Sequence, residues 1–572
     1  MCRIALLLLC CLFQLSCMPN GQPINASLST DASTILEPPK TEVEQGRLSG
    51  LWQKTDEDLL AVFRGVPFAA PPLGRLRWAA PADPLPWTYE RDATEFGAQC
   101  MQSSSLSLFT ESVIRGQGLP EAEAQAVISA LASNTPPPMS EDCLFLNLTT
   151  PNMAPEKNLP VMVWFHGGSH QTGTASSPTY QSTTLPQQGI VLVTANYRLG
   201  AFGYLAHPAL SANDPNGVSS NYGILDQIAA LKWIQDNIAA FGGDPNNVTI
   251  FGESAGAQAV SELMASPLAD GLYHKAIMQS GVYSWHPIGL KRGFQGIPSA
   301  EVIGQSFFAL NGLATMSASA EELRAISSDV ILNTAISDRR FLGAFLPAAD
   351  GYVQPDRVLN LILDEKTAPV PILLGYNADE GSLFYQWYQR ATRMNHEFPS
   401  ELPARLARFR EVFSDDAEVL INAYGLDDPE RYKSGEANML GDDSYGVHTR
   451  LLADAHAKRE LPVYVYQFRR TPPRIGQTAG AHHAAEIPFV FDTHYLELNR
   501  AGKRLTDTMV AYWTNFAKYG NPNSDTIPEW PAYDTKTKRW MILDNKSSVE
   551  ADVRKEKLDA IENTFLGIMG RR

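Results

Sequence analysis

Residues 248–266 read VTIFGESAGAQAVSELMAS. A β-branched and aromatic run, 248–251, passes without a linker into Gly252-Glu253-Ser254-Ala255-Gly256 and then into helix-forming residues. Strand, Gly-x-Ser-x-Gly, helix is the pattern of a nucleophile elbow. The turn is so tight that the serine takes a strained backbone and neighbouring side chains would collide. Glycine at 252 and 256 removes those collisions. Ser254 Oγ is then expected above the end of a sheet, at a helix N-terminus.

A serine hydroxyl is a weak nucleophile at neutral pH. It needs a base, usually a histidine oriented by an acid, and donors for the oxyanion that forms. In elbow proteins these follow in the order Ser, acid, His. The acid is expected in LLGYNADEGS (373–382), which offers Asp379 and Glu380. The base is expected in GAHHAAEIPFVF (480–491), which offers His482 and His483. Chain order does not choose within either pair. The oxyanion donors should be the backbone N–H of Ala255 and those of the Gly167–Gly168 region, in VMVWFHGGSH (161–170), where a predicted strand stops.

The scaffold is consistent with this. Short apolar runs at 161–165, 190–197, 248–251, 275–280, 370–376 and 463–468 mostly lack alternation, as strands covered on both faces do. Between them, Ile224, Ile228, Leu231, Ile234 and Ile238 fall on one helical face. Asn221 is placed to cap that helix and Gly242 to end it. Alternating strands and helices predict an α/β domain with a mainly parallel sheet, with ligands near the carboxyl ends of its strands.

The chain has 572 residues, 44% hydrophobic and 19% charged, which suits a large buried core. Length alone suggests about three or four domains of ~150 residues. No interior linker or repeat separates them, so one large domain with loop insertions is the alternative. A net charge of −16 without clustered Lys and Arg argues against nucleic acid as a partner. No HExxH, P-loop or dinucleotide fingerprint occurs, so neither metal nor organic cofactor is expected.

Residues 1–17, MCRIALLLLCCLFQLSC, hold four of the six cysteines. The apolar run from Ile4 to Phe13 is too short to span a bilayer but suits a signal peptide, which implies export to the exterior or the periplasm. Cys17 ends a segment resembling a bacterial lipoprotein cleavage box, with Gln14 where an aliphatic residue is usual. It is either a lipidated membrane tether or an unmodified cysteine in a discarded leader. Residues 18–41 read as a disordered tether. Cys100 and Cys143 remain as the pair an exported chain can oxidise. Closing that loop would stabilise by roughly 3–4 kcal/mol in the chain-entropy model. Nothing in the sequence sets the oligomeric state, and a monomer is the expectation.

These motifs, taken with FRGVPFAAPPLGRLRW (63–78), EDCLFLN (141–147), NYRLGAFGY, FGGDPNNVTIFGESAGA, MQSG and WTNFAKYGNPN, resemble the type-B carboxylesterases over nearly the whole chain from about residue 42. The resemblance implies an α/β-hydrolase fold over 42–570, with a large mostly parallel sheet, helices on both faces and long loop insertions. It implies hydrolysis of small-molecule carboxylic esters through an acyl-enzyme, with no cofactor. By position it assigns Ser254 as nucleophile, Glu380 rather than Asp379 as acid, and His483 rather than His482 as base, three residues before Glu486. The oxyanion donors become the N–H groups of Gly168, Ser169 and Ala255. Cys100–Cys143 matches the family's first disulfide, and Arg64–Glu141 and Arg198–Asp226 its structural ion pairs.

There are departures. The usual third glycine of the oxyanion loop is Ser169, which fits poorly if that position needs φ > 0. His170 follows where an aromatic residue is common, and reads as a packing or surface histidine. The loop between Cys100 and Cys143 has no Trp to hold a quaternary ammonium, and no cysteine follows residue 143. A cholinesterase is therefore not expected. A lipase, amidase or lactonase could use the same triad. A non-catalytic binding protein on this scaffold would typically lack the nucleophile.

Overall fold

Alternate side chains of the central strands enter two different cores, and this sets the layering. Val161, Val163 and Phe165 pack into one apolar cluster, while Met162 and Trp164 pack into another on the opposite side. A strand buried on both faces has no polar face to alternate with, which is why these segments read as continuous apolar runs. The computed structural model describes residues 36–103, 106–133, 135–282, 288–294, 296–383, 398–568 and 570. The apolar segment 1–17, Cys17 and the tether as far as residue 35 lie outside the described residues.

Eleven strands form the main sheet: β1 (Leu51–Lys54), β2 (Leu59–Pro67), β3 (Phe145–Thr150), β4 (Leu159–Phe165), β5 (Val191–Ala195), β6 (Gly243–Glu253), β7 (Lys275–Gln279), β8 (Ile372–Asn377), β9 (Val463–Phe468), β10 (Arg539–Leu543) and β11 (Ser548–Ala551). Their order is β11-β10-β9-β8-β7-β6-β4-β5-β3-β2-β1. From β10 to β5 every neighbour is parallel; the outer strands pair antiparallel. The six strands expected from apolar runs are thus β4 to β9, the centre of the sheet.

The helices that matter for the site are α1 (Tyr222–Asn237), α2 (Ala255–Ala265), α3 (Tyr432–Gly441), α4 (Val447–Lys458), α5 (Ile487–Phe491), α6 (Arg500–Tyr519) and α7 (Lys555–Ile568). Apolar residues of α1, α2 and α4 fill one core; Leu505, Met509, Trp513 and Phe516 of α6 fill the other. Helices therefore cover both faces.

Several expectations need correction. Asn221 precedes α1 but does not cap it with its side chain. It sits at φ 47°, and its amide instead bridges Ala348 and Asp350. Gly242, at φ 80°, does end the segment, after a 3-10 turn at Ile238–Phe241. Lys40–Val43 pairs antiparallel with Gly46–Ser49.

Glu141 does not pair with Arg64. A register shift between Phe63 and Val66 turns Arg64 away: its guanidinium lies 4.5 Å over the Phe96 ring, and Nη1 donates to the Thr94 carbonyl. Arg77, just past the 3-10 turn Gly74–Leu76, makes the bidentate pair with Glu141 instead. Cys100 and Cys143 are bonded, with Cα atoms 5.0 Å apart. The segment they close is not a shapeless loop. Its helix Leu106–Gly116 ends against the segment that leads to His483, where the Gly116 carbonyl accepts the N–H groups of Thr478 and Ala479.

The second expected ion pair is present. Arg198 grips Asp226 through Nε at 2.8 Å and Nη2 at 2.7 Å, with the side chains 4% and 0% exposed. Removing one partner of such a pair leaves an uncompensated buried charge, worth about 3–5 kcal/mol. Asp226→Ala should therefore lower unfolding free energy in urea by about that amount. A loss under ~1 kcal/mol, the range of exposed pairs, would show that Arg198 finds another partner or water.

Candidate active site

β6 runs between β4 and β7 and ends at Glu253. The next residue, Ser254, turns the chain at φ 55°, ψ −125°, and α2 starts at Ala255. Such a backbone costs a non-glycine residue about 1–3 kcal/mol. The surroundings over-determine it. The Ser254 N–H donates to the Gln279 carbonyl at 2.9 Å, and its own carbonyl accepts from Gln258 at 2.9 Å. A Cβ on Gly252 would lie 2.4 Å from the Gly256 carbonyl carbon, and one on Gly256 only 2.0 Å from the Phe165 oxygen. Both glycines are therefore there for close approach, as the sequence implied.

That approach brings the end of β4 beside the serine. A Cβ on Gly167 would sit 3.1 Å from Ser254 Cβ. The loop that follows is strained: Gly168, Ser169 and His170 have φ of 109°, 58° and 58°. Ser169 thus occupies a left-handed position that suits glycine. Among the described residues no backbone carbonyl takes the N–H of Gly168, Ser169 or Ala255. His170 is a packing residue, not a surface one. It is 1% exposed, with Nδ1 3.1 Å from the Tyr204 hydroxyl, and its carbonyl accepts the Gly200 N–H. Burial pushes its pKa down to about 3, so the ring stays neutral and wedges the strained loop.

The two histidines of the doublet are both buried but face different partners. His483 Nδ1 lies 2.6 Å from Glu380 Oε2, and Nε2 lies 3.1 Å from Glu253 Oε1. His482 Nδ1 instead lies 2.7 Å from the backbone carbonyl of His483, and burial lowers its pKa to about 4. The acids divide in the same way. Glu380 takes the Asn377 N–H on Oε1 and faces His483 with Oε2. Asp379 accepts the Ala481 N–H at 2.8 Å and so holds the loop, not the ring.

Glu486 is fully buried beneath. It accepts Nδ2 of Asn377 at 2.6 Å and Nε2 of Gln279 at 3.0 Å, while Gln279 Oε1 takes the Trp513 indole N–H. Its role is to brace the loop: Asn377 Nδ2 also reaches the His482 carbonyl. Glu253, Asn377, Gln279 and the Tyr445 ring stacked on His483 were not singled out from sequence. Asn377 could have been suspected from NADEGS and Glu253 from GESAG; nothing in the sequence marks Tyr445. Among the described residues no group of three or more His, Cys, Asp or Glu could hold a metal ion.

Charge is concentrated on one ring. Burial alone would lower the His483 pKa, but the carboxylates of Glu253 and Glu380, with Glu486 behind, outweigh it and raise it to about 9. Burial raises the Glu253 pKa to about 8; His483 opposes this, and Glu486 and Glu380 add to it. An imidazole accepts a proton only when neutral, so any base role for His483 grows as pH rises through its pKa. The raised value places that acid limb above the ordinary ~6.5. Glu253→Gln removes one of the carboxylates that favour the imidazolium. It should move the acid limb of kcat/KM down by on the order of one pH unit. An unmoved or upward-shifted limb would show that Glu253 does not act on the ring.

Comparisons with known proteins bear on the family and the fold. A family model described as "Carboxylesterase family" matches residues 37–561. Among curated proteins, the fumonisin B1 esterase of Sphingopyxis macrogoltabida is 35% identical over 486 residues, covering 83% of this chain and 82% of its own. The para-nitrobenzyl esterase of Bacillus subtilis (strain 168) is 33% identical over 522 residues, covering 90% and 96%. Among solved structures, a PNB esterase superposes with a TM-score of 0.73 at 31% identity, covering 91% of this chain and 99% of that one. The carboxylesterase EST55 of Geobacillus stearothermophilus gives 0.74 at 30% identity over the same shares. The fold is that of the α/β-hydrolases.

Proposed function

We propose a mechanism for this chain from the premise that it belongs to the carboxylesterase family and is a carboxylic-ester hydrolase. Ser254 is the nucleophile, His483 the base and Glu380 the acid that orients it. The Ser254 hydroxyl oxygen attacks the ester carbonyl carbon while its proton passes to His483 Nε2. The carbonyl oxygen becomes an oxyanion, received by the N–H groups of Gly168, Ser169 and Ala255. Glu380 holds the ring by Nδ1 and stabilises the imidazolium. The tetrahedral intermediate collapses, the C–O bond to the alcohol breaks, and the alcohol leaves with the proton from His483. Water, deprotonated by the same ring, then attacks the acyl-enzyme, and Ser254 regains its proton as the acid departs.

The observation that carries this reading is the 2.6 Å contact of His483 Nδ1 with Glu380 Oε2, with Nε2 of the same ring 3.1 Å from Glu253, the residue before Ser254. Ser254→Ala should abolish labelling by a fluorophosphonate probe and reduce ester turnover by about 10⁴-fold or more. His483→Ala should fall comparably, and His482→Ala should keep most of the activity. Labelling that survives Ser254→Ala, or the opposite ranking of the histidines, overturns the assignment. On purified protein, p-nitrophenyl esters in solution should be cleaved; activity confined to emulsified long-chain triglyceride would make the enzyme a lipase.

The reading extends to location. The apolar run from Ile4 to Phe13, together with a disulfide that persists in oxidising compartments, supports export. Among the described residues no helix is long and apolar enough to cross a membrane, so any tether is assigned to a lipid on Cys17. Mass spectrometry of the mature N-terminus should find acylated Cys17 in the membrane fraction and lose it in Cys17→Ala. An unmodified mature chain in the soluble fraction would remove the tether from the proposal.

A further inference from the structure

Helices α3 and α4 are one continuous helix interrupted by a π-turn at Asp442–Gly446. Single π-turns inside α-helices are rare and often lie at functional sites. This one carries Tyr445, whose ring stacks on the His483 imidazole with centroids 4.9 Å apart and planes 22° off parallel. Glu380 meets one edge of that imidazole and Glu253 approaches the other; edge contacts do not set the plane of a ring, whereas a stacked aromatic surface does.

The turn itself is anchored by a buried carboxylate that the ester chemistry does not use. Asp442 is 1% exposed. Its Oδ1 accepts the Tyr376 hydroxyl at 3.1 Å; its Oδ2 accepts the Tyr424 hydroxyl at 2.8 Å and Arg554 Nη2 at 2.6 Å. Tyr376 lies in β8, next to the Asn377 whose N–H binds Glu380. Arg554 immediately precedes α7 and also reaches Asn438 of α3. The helix meets the acid's own turn closely: a Cβ on Gly441 would stand 3.0 Å from Glu380 Cβ, and one on Gly381 2.1 Å from the Ala437 carbonyl oxygen. Inserting one residue into a helix rotates everything after it relative to everything before it, by about 100°. Within the π-turn Tyr445 faces His483 while Asp442 faces Tyr376 and Arg554.

We propose that the π-turn Asp442–Gly446 is a positioning element for the catalytic base, with Tyr445 fixing the plane of the His483 ring and Asp442 locking the turn to β8 and to the C-terminal segment through Arg554. Tyr445 is a positioning residue: it acts on the ester through His483. This rests on the reading of His483 as the base, which His483→Ala tests separately. If that variant stays active, the mechanism fails before the present inference is reached.

The experiment compares Tyr445→Phe, Tyr445→Leu and Arg554→Met on the full chain, with thermal melting to confirm folding. A misplacement of about 1 Å can cost ~10²-fold in rate, so Tyr445→Leu should lower kcat by about 10- to 100-fold with KM little changed. Tyr445→Phe keeps the flat ring and should restore most of the rate. Arg554→Met should give a smaller loss in the same parameter. The low-field proton resonance of the His483–Glu380 hydrogen bond should broaden or shift in Tyr445→Leu and persist in Tyr445→Phe. If Tyr445→Leu unfolds, Arg554→Met with the same resonance decides the question. A folded Tyr445→Leu with parental kcat and an unaltered resonance overturns the proposal. So does a change confined to KM, which would make Tyr445 a wall of the substrate pocket.

Discussion

The structure turns on a single close approach, between the nucleophile turn and the end of β4. The Phe165 oxygen leaves no room for a Cβ at Gly256, and Gly256 leaves none at Gly252. This steric fact fixes the register of β6 against β4, brings Gly167 beside Ser254, and aims the N-terminus of α2 at the oxyanion loop. The strain it imposes on Ser254 is held by two parallel neighbours, β7 buried throughout and β4 buried from Val161 onward. A turn under strain survives only where the packing around it is dense enough to forbid the relaxed alternatives.

Around that contact the protein buries an uncommon amount of charge. Glu253, Glu380 and Glu486 lie within one interior region with His482 and His483, all less than a tenth exposed. Burying carboxylates is costly unless each is paired or hydrogen-bonded. Two of them are hydrogen-bonded, Glu486 by Asn377 and Gln279 and Glu380 by the Asn377 backbone and His483, whereas Glu253 Oε1 stands 3.1 Å from the other edge of the same ring without a hydrogen bond. The price in stability is offset by two apolar cores, one on each face of the sheet. The return is an imidazole whose orientation and proton affinity are set by fixed carboxylates and not by water.

The sequence disclosed the fold through strands buried on both faces, whose apolar runs match β4 to β9 within a few residues. It disclosed the elbow because a Gly-x-Ser-x-Gly turn between strand and helix has a local steric cause. It misled where the cause was not local. Glu141 takes Arg77 and not Arg64, since a register shift in β2 decides which arginine turns inward. Asn221 looked like a helix cap, but a left-handed backbone sends its amide to a segment more than a hundred residues away. Of the two readings open for His170, packing or surface, the structure shows packing, beside Tyr204.

What the sequence determined by itself is the set of parts: a serine on a tight glycine turn, an acid after one strand and a histidine after the next, a pair of cysteines, and a hydrophobic pattern that forces a covered parallel sheet. These follow from short-range sterics and from periodicity, which neighbours in the chain can encode. Only the tertiary structure shows how residues that neighbours cannot distinguish are held. His482 and His483 differ by one position, as do Asp379 and Glu380. In the structure His483 and Glu380 face each other, while His482 and Asp379 hold backbone groups of the 481–483 segment. Tyr445 belongs wholly to that second category, because a π-turn over sixty residues from Glu380 has no trace in the sequence around the site.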